Sequence, residues 1–231
     1  MKPSKIKSSI ISVFVIIILL SISIFVWTNK NISAHATPTL GYTIVIDPGH
    51  GGIDPGCIGR KTKVTEASLN LKIAKKLENL LVSSGFNVML TRNNENGLYG
   101  IYDSDYKLRD MKERKRIIEE NKPDAIVSIH MNSFLSTSSR GAQVFFEENN
   151  EKSKVLACLM QELLKENIDS SNHEASIGDY YILHCTKYPS VLVECGYLSN
   201  AEDESLLTTD SHQEKIAYNI YAGIIAYINE L

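Results

Sequence analysis

Residues 42–56 read YTIVIDPGHGGIDPG, and this stretch decides the fold. Tyr42–Asp47 is a short β-branched run stopped by Pro48-Gly49, the pattern of a buried strand. A glycine-rich turn follows from Gly49 to Gly59, and Thr65 stands where a helix N-cap is needed. Behind it Leu69, Ile73, Leu77, Leu80 and Leu81 keep helical spacing until Gly85 ends the helix. Phe86–Thr91 then reads as a second strand.

The alternation continues outward from that unit. Residues 93–107 read as a polar loop carrying Tyr99, Tyr102 and Tyr106, and residues 108–121 as a charged helix that closes before Pro123. Ala125–His130 and Ala142–Phe146 read as strands three and four. Val155, Leu156, Leu159, Leu163 and Leu164 mark an amphipathic helix. Tyr180–Leu183 and Val191–Glu194 read as two further strands, and Ile216, Ile220, Ile224 and Ile228 as the stripe of a C-terminal helix. Strands alternating with helices predict an α/β fold: a single three-layer αβα domain around a mostly parallel, six-stranded twisted sheet.

Composition limits what such a domain does. The chain has 231 residues, 43% hydrophobic, 22% charged and 8% aromatic, which excludes collagen-like, disordered and disulfide-dense classes. Lys2, Lys5, Lys7 and Lys30 lie within residues 1–36, which hold no acid. The remainder therefore carries 20 basic against 27 acidic side chains, a net −7 beneath the overall −3. That balance argues against a nucleic-acid partner, since phosphate neutralisation needs clustered cations. Cys57, Cys158, Cys185 and Cys195 form no CxxC pair and no regular framework. Residues 9–27 run without a charge behind three lysines, enough to span a bilayer as an anchor. Ala34-His35-Ala36 offers a signal-peptide cleavage site as the alternative. Both readings export a domain of residues 37–231 and make residues 1–36 an anchor or signal peptide with a short linker.

Ligand sites in open α/β sheets lie beyond the carboxyl ends of the strands. His50 follows strand one, His130 closes strand three, Glu194 closes the last strand, and Glu66 opens the first helix on the same edge. Two imidazoles and a carboxylate suffice for a first-row metal with a position left for water, and a second carboxylate can serve as base. Structural readings compete. A lone strand-end histidine is commonly structural, and Glu66 suits the dipole of a helix's first turn. An unpaired Glu194 behind Val191-Leu192-Val193, by contrast, is costly. Spacing alone leaves both readings open.

The stretches IVIDPGHGGIDPG, VMLTR, IVSIHMNS and PSVLVECGYLSN, with Glu66 between the first two, occur in this order within residues 42–231. Together they resemble the zinc-dependent N-acetylmuramoyl-L-alanine amidases of the Amidase_3 type, most closely the spore-cortex, germination-specific members. The resemblance implies one zinc ion on His50, Glu66 and His130, with Glu194 catalytic. It implies hydrolysis of the amide between the lactyl group of muramic acid and L-alanine in peptidoglycan. Glu194 would take a proton from the attacking water and return it to the leaving nitrogen. The setting implied is outside the cytoplasm, in spore cortex maturation leading to muramic-δ-lactam and later to germination. Asn132 is either a substrate contact or a loop cap. Gly49, Gly51 and Gly52 allow backbone close to the metal, Arg92 and Arg114 read as structural ion-pair donors, and Cys195 reads as core.

Departures from the family matter too. Ser171-Asn172-His173-Glu174-Ala175 lacks the basic residue that many relatives place before the Tyr-Tyr segment, leaving only His173 to reach toward a substrate groove. His130 and Glu194 stand 64 positions apart, too few for the long insert that covers the zinc in cell-division relatives. No second wall-binding domain is expected, so localisation falls to the N-terminal segment or a membrane-associated accessory protein. The sequence leaves oligomeric state open. The rival functions are a catalytically silent peptidoglycan-binding module and another zinc hydrolase, such as a sugar deacetylase.

Overall fold

The β-branched runs become strands β1 (Thr43–Pro48), β2 (Asn87–Leu90), β3 (Ala125–Asn132), β4 (Gln143–Phe146), β5 (Ser176–Ile177) and β6 (Ser190–Tyr197) in a computed structural model describing residues 41–101, 103–168 and 172–231. They form one six-stranded sheet in the order β2-β1-β3-β6-β4-β5. Strands β2, β1, β3 and β6 run parallel, while β4 lies antiparallel to β6 and parallel to β5. The expected mostly parallel sheet is present.

Side chains alternate across the sheet, so the central strands β1, β3 and β6 feed two cores. On one face Ile44, Ile46, Val127, Ile129, Val191 and Val193 meet α1 (Glu66–Ser83), α3 (Glu151–Asn167) and α6 (Asp210–Ile228). On the other face Val45, Ile126 and Leu192 meet Ile118 of α2 (Tyr106–Asn121) and Ile182 and Leu183 of α4 (Tyr181–His184). The first core is far larger, and the thinner second layer is where space remains for a ligand. Thr65 caps α1, its side chain accepting from Ser68 N at 3.3 Å. The cap sets Glu66 in the first turn, on the carboxyl edge of the sheet.

Three sequence expectations need correction. Tyr180–Leu183 is no strand: Leu183 N donates to Tyr180 O at 2.9 Å and Cys185 N to Tyr181 O at 2.8 Å, closing a helical turn. Ile182 and Leu183 are adjacent yet enter the same core, which a strand's alternation forbids. The sixth strand is instead the short Ser176–Ile177 segment beside β4. The charged helix starts at Tyr106, two residues early. A further helix, α5 (Ala201–Leu207), went unseen because it is seven residues long, too short to show a stripe. Its signal was Asn200, whose side chain accepts from Glu202 N and Asp203 N ahead of an acidic first turn. The apolar run 9–27 and His35 fall outside the described residues, among which no helix is long and apolar enough to cross a membrane.

Candidate metal centre

The loop after β1 is held by hydrogen bonds from its N–H groups and to its carbonyls. Gly49 N donates to Ile129 O at 3.0 Å, pinning the loop to β3. A Cβ on Gly49 would lie 2.1 Å from His130 Cε1, so only glycine lets the loop pass beside that imidazole. His50 itself takes a left-handed backbone at φ 61°, an uncommon conformation for a non-glycine residue. Arg114 Nη2 fixes it by donating to His50 O at 2.7 Å. Arg92 is not the ion-pair donor expected. Buried, it donates to the carbonyls of Pro48, Gly49, Ala67 and Asn94 at 2.7–2.9 Å, clamping the loop to α1. Gly51 and Gly52 pack against Arg92 and Tyr99 rather than beside the histidines.

This frame brings His50, Glu66 and His130 together, one ligand atom from each lying within 4.8 Å of the others. Glu66 Oε1 sits between the imidazoles, 3.1 Å from His50 Nε2 and 2.9 Å from His130 Nδ1. It also accepts from Met131 N at 3.1 Å, while Oε2 accepts from Cys57 N at 2.8 Å. Burial would raise the Glu66 carboxyl, but hydrogen bonds with His130 and His50 and their charge hold it well below the usual range. Burial likewise lowers His50, and the Asp54 and Glu66 hydrogen bonds outweigh it, raising the imidazole to about 9. The pocket therefore draws in positive charge. Two imidazole nitrogens and a carboxylate oxygen, converging in this way, fit zinc or a similar first-row cation.

Sequence reasoning missed Asp54. Its Oδ2 lies 3.0 Å from His50 Nδ1, so the carboxylate holds the proton on that nitrogen and turns Nε2 toward Glu66. The only signal was its place four residues after His50, within the quoted stretch. Asp54→Asn should lower zinc affinity about 10- to 100-fold with the fold unchanged. Competition against a chromophoric chelator measures this, and unaltered affinity would remove Asp54 from the site.

Glu194 lies in register with His130 on the neighbouring strand and on the same face of the sheet. It is 7% exposed, and its Oε2 has no hydrogen-bond partner among the described residues. Burial pushes its carboxyl up; the charges of His130 and His50 oppose this and that of Glu66 adds to it, leaving it at about 7. The phenols of Tyr180 and Tyr197 are raised by burial and then by the Glu194 charge. Asn132 ends β3, where its Oδ1 accepts from Ser133 N at 2.8 Å. His173 donates to Arg140 O at 3.0 Å, and its ring centre lies 6.2 Å from that of Tyr197. Cys195 is core, as expected. Burial pushes the Cys57 thiol to about 12, which disqualifies it as a thiolate nucleophile at neutral pH.

Two imidazoles, a carboxylate and a second buried acid on a doubly covered α/β sheet make the donor set of a metallohydrolase. The chain belongs to the N-acetylmuramoyl-L-alanine amidase family Amidase_3, whose model matches residues 44–226. It is 30% identical over 206 residues to the germination-specific N-acetylmuramoyl-L-alanine amidase of Bacillus subtilis, covering 87% of this chain and 86% of that relative. It is 33% identical over 208 residues to the probable cell wall amidase LytH of Staphylococcus saprophyticus, covering 88% of this chain but only 65% of that longer protein. Among solved structures, the CwlD amidase from Clostridioides difficile in complex with the GerS lipoprotein superposes with a TM-score of 0.79. The two are 40% identical, and the match covers 82% of this chain and 100% of that one. The family is zinc-dependent in general.

Proposed function

We propose that this chain is a zinc-dependent N-acetylmuramoyl-L-alanine amidase that strips stem peptides from peptidoglycan. The observation that carries the reading is the convergence of His50, Glu66 and His130 beside a buried Glu194 whose Oε2 has no hydrogen-bond partner among the described residues. Zinc held by those three residues would supply a Lewis acid that acidifies water and stabilises negative charge developing on the amide carbonyl oxygen. Glu194 takes the proton from the attacking water, and burial has already raised its affinity for one. It then gives that proton to the L-alanine nitrogen, since an amine anion is too basic to leave alone. Asp54 and the two buried arginines keep His50 in place throughout.

The relatives also support a reading of the cellular role. The B. subtilis relative is germination-specific and the C. difficile structure contains a lipoprotein partner, which supports action on spore cortex with a membrane-associated accessory protein. Residues 1–36 act as anchor or signal peptide and residues 37–231 as the catalytic domain, outside the cytoplasm. Digestion of cortex-type peptidoglycan should release whole peptides with a free L-alanine amine. A chelator should stop release, and added zinc should restore it. Loss of acetyl groups instead of peptides, read by mass spectrometry, would overturn the reading.

A further inference from the structure

Residues 57–65 form a hairpin whose base lies on the metal centre. Cys57 N donates to Glu66 Oε2 at 2.8 Å, and Glu66 N donates back to Cys57 O at 2.8 Å. A Cβ on Gly56 would lie 2.5 Å from Glu66 Oε2, so the turn packs directly on that carboxylate. Beyond the base the ladder is short. Ile58 bridges Thr65, Gly59 N donates to Val64 O at 2.8 Å, and Lys63 N donates to Gly59 O at 3.2 Å. Lys63 takes a left-handed backbone at φ 61°. A two-stranded hairpin this small is marginal without an outside anchor.

The anchor is Glu204 of α5, a buried residue. Lys61 N donates to its Oε1 at 2.9 Å and its Oε2 at 3.2 Å. Thr62 N and Thr62 Oγ1 donate to Oε1 at 2.6 and 2.7 Å. Hydrogen bonds to a carboxylate are about twice as strong as neutral ones, so the tip is held firmly. Arg60 Nη2 also reaches Phe134 O at 3.2 Å, but that bond is open to water. Asp203, the preceding residue, ties the same helix to the strand of the acid. Its Oδ2 accepts from Tyr197 N at 2.9 Å, and Tyr197 ends β6 three residues after Glu194. Adjacent carboxylates on one short helix thus hold the hairpin tip and the end of β6.

We infer that Glu204 is a positioning residue for the metal centre. It holds the hairpin tip, the hairpin keeps the Cys57 N–H on Glu66 Oε2, and Glu66 Oε1 is left facing the two imidazoles. The inference rests on the amidase reading's metal site and adds a residue that touches neither metal ligand nor substrate. Met131 N holds Oε1 from the other side at 3.1 Å, so the carboxylate is fixed at both oxygens. Loosening the hairpin releases one of the two and lets the carboxylate turn about its last bond. A ligand that turns binds its cation less tightly, because ordering it then costs part of the binding free energy.

The test is the zinc affinity of the full chain, read by competition with a chromophoric chelator. The absorption spectrum of the cobalt(II)-loaded chain reports ligand geometry beside it. Both are read well below each variant's melting temperature, so lost stability does not enter. Glu204→Ala should weaken zinc about tenfold and shift the cobalt bands. Glu204→Gln keeps an acceptor oxygen for the same N–H groups and should retain most of the affinity and the unmodified spectrum. Gly59→Ala disturbs the clamp from the other side, since its Cβ would lie 2.6 Å from Glu204 Oε1, and it serves where Glu204→Ala does not fold. It should weaken zinc as well, and the double variant should be no weaker than Glu204→Ala alone. Unchanged affinity and spectrum in Glu204→Ala and Gly59→Ala, or a Glu204→Gln no better than Glu204→Ala, overturns the inference. An unmodified chain that binds zinc yet releases no peptide from peptidoglycan defeats the amidase reading alone, and the affinities still decide the role of Glu204.

Discussion

Glu194→Gln should cut release of stem peptides about 10²- to 10⁴-fold while leaving zinc content and fold intact. Glutamine keeps the volume and removes the proton acceptor, so the loss reports proton transfer rather than packing. Stability should hold or rise. The Glu194 carboxyl is buried, and its Oε2 has no hydrogen-bond partner among the described residues, an arrangement that costs the folded state free energy and that a neutral amide relieves in part. The pH dependence has a definite sign. Only the carboxylate accepts a proton, burial sets its titration at about 7, and a cation beside it favours the ionised form. The acidic limb of kcat/KM should therefore lie at or below 7 and vanish in Glu194→Gln. Zinc stoichiometry and melting temperature, read beside the digest, separate the mechanism from misfolding. Retained activity in the variant would defeat the assignment.

Much of this centre was legible because its residues sit where local sequence fixes backbone position. His50, His130 and Glu194 follow or close β-branched runs, and Glu66 follows a capping threonine, so strand and helix grammar alone put them on one edge. Grammar did not say that the side chains converge. That depends on loop conformation: a left-handed His50 and a glycine that lets His130 pass at contact distance. Asp54 and the carbonyl-directed Arg92 stayed hidden for the same reason, since their partners are backbone atoms or a ring nitrogen oriented by the turn. Tyr180–Leu183 misread as a strand because β-favouring residues over four positions carry no period long enough to separate strand from helical turn.

Arg114→Met should destabilise the protein by about 3–5 kcal/mol, a large share of a typical domain's stability. Arg114 and Asp47 are each 2% exposed and pair at 2.5 Å, with Thr91 and Ser128 hydroxyls donating to the same carboxylate at 2.6 and 2.7 Å. Burial alone would raise Asp47, but the Arg114 charge and these hydrogen bonds win and lower it to about 2. A folded-state value below the unfolded one stabilises the fold at pH above about 4, and that contribution is lost as pH falls toward 2. Acid unfolding of the unmodified chain should therefore steepen in that window. Removing the arginine strands the carboxylate at every pH where it is ionised. Arg114→Met with Asp47→Asn removes both charges and should recover much of the stability. It should not recover metal affinity, because Arg114 also holds the His50 carbonyl at 2.7 Å and the Pro48 carbonyl at 2.9 Å. Denaturant melts and zinc titrations on the single and double variants separate the two roles. If zinc affinity returned together with stability, the clamp on the His50 loop would be a consequence of the ion pair alone.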